Sequence, residues 1–238
     1  VATKLTPCGK KGVIVEVNAE TDFVAKNEKF TTYVGEIADQ ALNSPAEDID
    51  EFFNEKWALD ESLTVAEKLS SMISIIGENM KIRRYEIVKE DNGFVQSYIH
   101  AAGKIGVLLD VATDVVNDDI KEMAKNVCMQ IAALRPVYIS DADVDAEYLA
   151  KEKEILMAQI QNDPKESSKP QKVIEGMIQG RIKKELKEIC LLDQVYVKAE
   201  DGKQSVKDYV ASVAKANNAN IEIKAFVRYE TGEGLEKK

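Results

Sequence analysis

Ionisable side chains are plentiful in this sequence, but few of them stand in a pattern that supports catalysis. Glu20 and Asp22 are two carboxylates separated by one residue, a spacing open to paired acid–base chemistry or to metal binding. The only histidine is His100, which leaves little room for a nucleophilic triad. The three cysteines are far apart and form no metal or redox motif, which is typical of a reducing compartment. A metal-assisted hydrolase that uses Glu20 and Asp22 is therefore one hypothesis.

Motifs for nucleotide and hydrolytic chemistry are missing from the sequence. It contains no phosphate-binding loop, no dinucleotide fingerprint, no nucleophile elbow and no His-Glu-x-x-His segment. Residues 230–234, Glu-Thr-Gly-Glu-Gly, carry two glycines but follow a predicted strand with no helix behind it. That segment is therefore predicted to be a terminal turn, and the missing motifs disfavour an enzyme.

Composition and charge exclude several kinds of partner. The 238 residues include 32 Lys and Arg against 42 Asp and Glu, so the formal net charge is −10. Such a balance argues against binding of a nucleic-acid backbone, which requires clustered basic residues. No apolar run approaches the ~18–20 residues that span a bilayer, and no signal-peptide pattern is present. We therefore expect a cytoplasmic, globular chain with no nucleic-acid or membrane partner.

An internal duplication organises the elements that must position these side chains. When the chain is shifted by 94 residues, residues 9–12 (Gly-Lys-Lys-Gly) fall on residues 103–106 (Gly-Lys-Ile-Gly). Under the same shift, the apolar residues 13–17 fall on the apolar residues 107–111. A run with apolar residues at helical spacing follows in both copies. Each copy is therefore predicted to begin with a strand, a turn, a second strand and a helix.

A second offset places another helix and another strand at the end of each copy. Shifted by 141 residues, Thr64 falls on Ser205 and Met80 falls on Ile221. Thr64 and Ser205 are predicted N-caps of the second helix of each copy. Each half is thus predicted as a small antiparallel sheet with helices on one face. The predicted fold class is α+β, with two internally duplicated β-β-α-α-β subdomains and pseudo-twofold character.

The difference between the two offsets locates an insertion in the second half. The second offset exceeds the first by 47 residues (141 − 94). Residues 146–190 contain two helical patterns separated by Pro164 and Pro170, which predicts an inserted antiparallel helical hairpin. It is too short for a coiled coil to be assigned from heptads alone. The predicted parts are a first core subdomain (1–91), a second core subdomain (92–145 and 191–238) and the hairpin (146–190).

The first half has a smaller variable piece of its own. Ser44 and Pro45 are predicted to open a short helical segment that runs through Phe52 and Phe53 to Trp57. We expect these aromatic rings to pack in the core.

One connection breaks the repeat. Residues 21–23 (Thr-Asp-Phe, the 21–23 loop) fall on residues 115–117 (Val-Val-Asn), although the flanking elements agree. Different residues on an equivalent scaffold are typical of a loop that carries a binding function. The pattern alone leaves two interpretations of Phe23 open, since its ring either packs in the core or is displayed as an anchor for a partner's pocket.

Several segments together raise a resemblance to a known family. Residues 15–27, Val-Glu-Val-Asn-Ala-Glu-Thr-Asp-Phe-Val-Ala-Lys-Asn, resemble the signature segment of the translation elongation factor Ts family. Four further segments resemble that family in the same order: residues 76–79, 82–84, 97–100 and 226–234. The resemblance covers essentially the whole chain, and five ordered motifs over this length are highly specific.

The resemblance implies a function without covalent chemistry. Members of this family are guanine-nucleotide exchange factors of elongation factor Tu, so the implied partner is elongation factor Tu, GDP-bound or nucleotide-free. The chain is then not an enzyme, and we expect no catalytic residue, no metal ligand and no cofactor. Family members have an N-terminal helical module ahead of the core. Residues 94–100 map back onto the first positions of this sequence, so we expect that such a module is missing here.

The resemblance also implies which residues meet the partner. By analogy with the family, Phe23 wedges between helices of the partner's G domain, and Asp22 perturbs the nearby Mg²⁺ and phosphate site. The implied supporting contacts are Thr21, Ile76, Gly77, His100, Val197 and Lys198.

Each supporting residue also has an ordinary structural interpretation. Ile76 continues the apolar stripe of a helix, and Gly77 is a candidate C-cap for that helix. His100 ends a strand, while Val197 and Lys198 lie near the end of a predicted strand after the hairpin.

Three hypotheses remain at this point. The leading one is an exchange factor that promotes GDP release from elongation factor Tu. The second is the hydrolase that uses Glu20 and Asp22, which would require a metal ion. The third is a subunit that binds elongation factor Tu and leaves GDP release unchanged. The missing cofactor and phosphate motifs disfavour the second, and the intact Asp22-Phe23 pair disfavours the third.

Overall fold

The computed structural model describes residues 1–235, which alternate between short strands and helices. The strands are β1 (Ala2–Leu5), β2 (Lys11–Ala19), β3 (Lys56–Trp57), β4 (Asp60–Thr64), β5 (Met80–Lys89), β6 (Gly93–His100), β7 (Ile105–Thr113) and β8 (Ile221–Glu230). The helices are α1 (Glu28–Asn43), α2 (Ile49–Asn54), α3 (Val65–Ile76), α4 (Asp118–Leu134), α5 (Ala146–Asn162), α6 (Pro164–Ser167), α7 (Gln171–Ile189) and α8 (Val206–Ala216). This mixture of helices with small antiparallel sheets confirms the predicted α+β class.

The predicted offsets recur in the positions of the strands. Both ends of β7 lie 94 residues after those of β2, and both ends of β8 lie 141 residues after those of β5. Each copy forms a three-stranded antiparallel sheet, in the orders β1-β2-β5 and β6-β7-β8. The register of each sheet is also interrupted at equivalent places, where the pairing skips Arg83 on β5 and Lys224 on β8. The duplication therefore extends to the irregularities of the sheets.

Both central strands are buried on both faces, which explains why β2 has a nearly continuous apolar run. On one face, Val13, Val15 and Val17 join a core with residues of α1 and α3. On the other face, Ile14 and its equivalent Leu108 belong to one cluster with residues of β6 and β8. The two sheets therefore pack on each other around the equivalent pair Ile14 and Leu108.

Two equivalent glycines allow this close approach. A Cβ atom on Gly12 would lie 2.6 Å from a methyl carbon of Leu5 and 3.0 Å from one of Val95. A Cβ atom on Gly106 would lie 2.5 Å from Val1 Cγ1. Since real Cβ atoms do not approach other carbons so closely, neither position accepts a side chain without a shift of the neighbours. The second glycine of the repeated Gly-Lys-x-Gly segment thus has a packing role.

A buried carboxylate connects β2 with β5 and with the turn after β8. The Glu16 side chain is fully buried and accepts hydrogen bonds from Arg83 Nη1 (2.9 Å), Arg84 Nε (2.6 Å) and the backbone N–H of Gly232 (2.9 Å). Burial alone would raise the pKa of Glu16, but these three donors hold its pKa below the usual value. The sequence predicts a turn at residues 230–234; Glu230 still belongs to β8, and the turn at residues 231–234 is fixed to the centre of the first sheet.

The equivalent position in the second copy is Asp110, whose buried carboxyl group has fewer donors to balance its charge. Asp110 is 8% exposed, and its Oδ1 atom makes no hydrogen bond within the described part of the chain. The nearby ammonium group of Lys224 lies 3.3 Å from the buried carboxylate of Glu90 instead. Burial and the neighbouring Glu90 raise the pKa of Asp110 to about 7. Asp110 therefore carries a proton in the folded protein under conditions where an ordinary aspartate has lost it.

The inserted helical hairpin belongs to a separate compact unit. Contacts between residues divide the chain into one unit of residues 1–132 with those from 213 onward, and another unit of residues 133–212. The second unit contains α5, α6 and α7. The Tyr148 hydroxyl near the start of α5 donates to Glu185 Oε1 near the end of α7, at 2.5 Å. The two helices are therefore antiparallel, as predicted for a hairpin, and the proposed three-part division of the chain stays a prediction.

One local prediction in the first half is wrong. The short helix begins at Ile49, because the Asp48 side chain accepts the backbone N–H of Glu51 at 2.8 Å and caps it. It ends at Asn54, and Trp57 lies on β3 instead of a helix. The packing prediction for Phe52 and Trp57 is confirmed, since both side chains are buried. Within the described residues, no helix is both long enough and apolar enough to cross a membrane.

Asp110→Asn is expected to reduce the pH dependence of stability. The pKa of about 7 in the folded state lies above the ~3.9 of an unfolded aspartate, so the native state keeps a proton that the unfolded state loses. Wild-type stability should therefore fall as the pH rises from ~4 to ~7. The amide resembles the protonated acid and avoids a charge beside Glu90 and Glu222, which Lys224 compensates only in part.

Urea unfolding at pH 5 and at pH 8 checks this expectation. The variant should gain stability relative to wild type at pH 8 more than at pH 5. Asp91→Asn, at an exposed aspartate, is the matched control and should show no such difference. An equal effect of Asp110→Asn at both pH values would contradict the raised pKa.

Candidate partner-binding loop

The 21–23 loop lies between β2 and α1, and both of its ends are fixed. A 3₁₀ turn, Val24–Lys26, follows the loop directly. The side chain of Val24 is buried in the core of the first copy. The Asn27 side chain then accepts the backbone N–H of Lys29 at 2.9 Å and caps α1. The backbone on the C-terminal side of the loop is therefore anchored by one buried residue and one helix cap.

Phe23 is displayed to solvent. Its side chain is 85% exposed, whereas the next residue, Val24, is only 6% exposed. The structure thus decides between the two interpretations that the sequence pattern left open. A large exposed aromatic ring on an anchored backbone is typical of an interface anchor, which gains its energy when a partner buries it.

Asp22 is also exposed and lies near a turn of the second copy. Its Oδ2 atom is 3.9 Å from Lys104 Nζ, and both side chains are largely in solvent. An exposed ion pair at this distance contributes little to stability. The carboxylate of Asp22 is therefore open to a partner.

A carboxylate that the sequence analysis did not single out holds the loop from the other side. Thr21 Oγ1 donates to the two carboxylate oxygens of Glu78 at 2.8 and 3.0 Å, and the Thr21 backbone N–H donates to Glu78 Oε2 at 3.2 Å. Glu78 belongs to the predicted segment 76–79. The structure therefore joins two of the five family-like motifs through Thr21 and Glu78.

Gly77 places Glu78 opposite the loop. Its φ of +81° lies in the left-handed region, and its N–H donates to the carbonyl of Ile73 at 2.8 Å, which ends α3. This confirms the C-cap interpretation of Gly77. Ile76 is partly buried against the first core, while its neighbour Ile75 is 55% exposed. The end of α3 thus exposes Ile75 to solvent, although the sequence pointed to its neighbours Ile76 and Gly77 as candidate contacts.

His100 lies in the same unit, at the exposed end of β6. Its Nδ1 atom is 3.1 Å from the Tyr98 hydroxyl. The turn that follows His100 leads to Lys104, which approaches Asp22. The ring of His100 is therefore exposed, and His100 shortly precedes Lys104, whose side chain approaches Asp22 of the loop.

Val197 and Lys198 lie in the other unit, and the strand predicted there is wrong. The backbone forms an isolated bridge between Val195 and Ser205, and residues 197–198 lie in a turn. The neighbouring Tyr196 is instead held by a tertiary contact, since it is buried with its ring stacked on Tyr209 at 4.0 Å between centroids. Val197 is 48% exposed.

The hydrolase hypothesis gains no support from the geometry. Glu20 and Asp22 are both exposed. Across residues 1–235, no three or more His, Cys, Asp or Glu side chains are grouped so that they could hold a metal ion.

Comparison with known proteins gives a consistent assignment. Residues 20–233 match the family model described as elongation factor TS. The chain is 47% identical over 238 residues to Elongation factor Ts of Clostridium perfringens (strain SM101 / Type A). It is 43% identical over 238 residues to Elongation factor Ts of Clostridium novyi (strain NT) and 44% identical over 237 residues to that of Clostridium botulinum (strain Eklund 17B / Type B). Each alignment covers 100% of this chain and 76% of the relative.

These relatives are translation elongation factors, and identity of this degree over the full chain defines the class. The chain belongs to the elongation factor Ts family.

Gly77→Ala is expected to lower the free energy of unfolding by about 1–2 kcal/mol, because a Cβ atom disfavours the left-handed conformation. A Cβ atom on Gly77 would meet no other atom within 4 Å, so the loss measures the backbone strain alone. The control is Gly35→Ala in the interior of α1, where a Cβ atom also meets nothing within 4 Å. Alanine should raise the stability there by up to about 1 kcal/mol. Urea unfolding of both variants checks this, and a Gly77→Ala variant as stable as wild type would contradict the strain argument.

Proposed function

We propose that this chain is a guanine-nucleotide exchange factor that binds elongation factor Tu and promotes release of GDP. Phe23 enters the partner's G domain beside its Mg²⁺ and phosphate site, and Asp22 perturbs the environment of the ion. The single observation that carries this proposal is the ring of Phe23, which is 85% exposed although Thr21 and Val24, on either side of the Asp22-Phe23 pair, are held in place.

The energy available from Phe23 suits such a role. Burial of a fully exposed aromatic side chain contributes roughly 1.5–3 kcal/mol. Because the loop is already ordered, little of this energy is lost in immobilising its backbone. If the ring is buried only when the nucleotide pocket has loosened, that energy favours the loosened state directly.

The position of Asp22 adds an electrostatic effect. Mg²⁺ is held by oxygen ligands in a strict octahedral geometry, and the affinity of the partner for GDP depends on the position of this ion. A carboxylate brought beside that site competes for the ion or shifts it. Coupling of this kind is reciprocal, so GDP must weaken the binding of this chain by the same factor. A typical coupling of ~1–3 kcal/mol corresponds to about 5- to 150-fold.

The supporting contacts belong to the same proposal. Thr21, Ile76, Gly77 and His100 lie in the unit that carries the loop, whereas Val197 and Lys198 lie in the unit of residues 133–212. All six are proposed to meet the partner, in addition to the Asp22-Phe23 pair. The proposal has further parts. The partner is elongation factor Tu in its GDP-bound or nucleotide-free form, and the chain acts in the cytoplasm. The chain has no nucleic-acid or membrane partner and carries out no catalytic chemistry.

Phe23→Ala is expected to lower the rate of GDP release by about 10- to 150-fold, which corresponds to the loss of ~1.5–3 kcal/mol of burial energy. The measurement is stopped-flow release of a fluorescent GDP analogue from elongation factor Tu, with no addition, with this chain, or with the variant. Leu59→Ala is the matched control, because Leu59 is another exposed apolar side chain at 69% exposure, outside the loop.

Two outcomes would count against the proposal. If the wild-type chain binds elongation factor Tu without accelerating release, the chain is a holding subunit. If Phe23→Ala and Leu59→Ala reduce the rate equally, the wedge is not located at Phe23.

A further inference from the structure

The two copies provide an internal comparison for the loop. In the second copy, Asn117 occupies the position of Phe23, and Asn217 occupies that of Ile76. Asn117 Oδ1 accepts the N–H of Ile120 at 3.0 Å, and Asn117 Nδ2 donates to Asn217 Oδ1 at 2.8 Å. The second copy thus closes the junction between its loop and the end of α8 with a direct side-chain hydrogen bond.

The first copy closes the same junction with a different pair of residues. There Phe23 is exposed, and the hydrogen bonds run between Thr21 and Glu78 instead. Their equivalents in the second copy are Val115 and Ala219, whose side chains have no hydrogen-bonding atoms. The Thr21–Glu78 contact therefore occurs only in the copy that displays the aromatic ring.

A left-handed residue follows the second helix in both copies. Gly77 has a φ of +81°, and its equivalent Asn218 has a φ of +48°, so both residues are left-handed. Both follow the last turn of the second helix of their copy. The two junctions differ in backbone as well as in side chains, since Val24–Lys26 form a 3₁₀ turn before α1 whereas the equivalent residues 118–120 already belong to α4.

Thr21 fixes the backbone on both sides of Asp22 and Phe23. Its hydroxyl oxygen donates to Glu78 and accepts the backbone N–H of Val24 at 3.3 Å. Its own backbone N–H donates to Glu78 at 3.2 Å. Since an exposed aromatic ring gains energy by folding back onto apolar surface, a displayed ring needs a restraint of this kind.

We propose that Glu78 is a positioning residue, whose carboxylate clamps Thr21 and thereby keeps Asp22 and Phe23 presented before a partner binds. This inference rests on the proposed exchange function for its consequence, but the clamp itself can be tested without a partner. Loss of the clamp lowers the fraction of molecules with a presented loop, and the apparent affinity for the partner falls by that fraction.

The first experiment measures amide hydrogen exchange by NMR in the chain alone. Glu78→Ala and Thr21→Val should each speed exchange at the Val24 amide by about tenfold, because its acceptor, Thr21 Oγ1, is released or removed. Thr21→Ser keeps the hydroxyl and should retain most of the protection. Glu61→Ala, at an exposed carboxylate of β4, is the control for loss of charge. Unchanged exchange at Val24 in both Glu78→Ala and Thr21→Val would overturn the clamp.

The second experiment measures GDP release from elongation factor Tu at increasing concentrations of each variant. Glu78→Ala should raise the half-saturating concentration about tenfold and leave the maximal rate within a factor of about two. The double variant Thr21→Val/Glu78→Ala should be no worse than Thr21→Val alone, because both substitutions remove the same contact with Glu78. Fully additive effects, or a loss confined to the maximal rate, would overturn the positioning role.

The two experiments separate the inference from the function on which it rests. If wild type does not accelerate GDP release, the proposed function fails, while the exchange of the Val24 amide still decides whether the clamp exists. If wild type accelerates release and Glu78→Ala does so with the same half-saturating concentration, only the positioning role fails.

Discussion

The buried carboxylate of Glu16 is the interaction on which the geometry of the loop depends. It lies on β2, and its donors come from β5 and from the turn after β8. A buried carboxylate is stable only when its charge is fully compensated, so these three segments must stay together. β2 leads directly into the 21–23 loop, and β5 begins two residues after Glu78. The same ion-pair network thus sets the positions of both partners of the Thr21–Glu78 contact.

The duplication explains why the remaining parts of the fold allow a specialised loop. Equivalent strands and glycines give both copies a three-stranded sheet of the same order, with a left-handed residue after the second helix. The second copy fills its junction with an asparagine pair, and the first copy leaves Phe23 in solvent. In the same way, Glu16 is compensated by two arginines, whereas burial and the neighbouring Glu90 raise the pKa of Asp110 to about 7. The two copies therefore share the sheet but differ in the hydrogen bonds and charged groups placed on it.

Much of the fold could be predicted because the two offsets compare each element with a second copy of itself. Those offsets alone predict that β7 is equivalent to β2 and that β8 is equivalent to β5. The strand at Val197 could not be rejected from sequence, because the stacking of Tyr196 on Tyr209 is a tertiary contact.

The display of Phe23 could not be predicted from pattern, since Phe23 and Val24 are both apolar and only one of them fits the core. Glu78 was missed, although a signal was present. Thr21 and Glu78 both change to apolar residues, Val115 and Ala219, under the two offsets.

The most direct test of the account is the affinity of this chain for elongation factor Tu in two states, nucleotide-free and saturated with GDP and Mg²⁺. Isothermal titration calorimetry measures both under the same conditions. An exchange factor that stabilises the loosened pocket must bind the GDP-bound form more weakly, by about 5- to 150-fold or more for a coupling of ~1–3 kcal/mol or above. Equal affinities for the two states would contradict the account, because a ligand that does not distinguish two states cannot shift the balance between them.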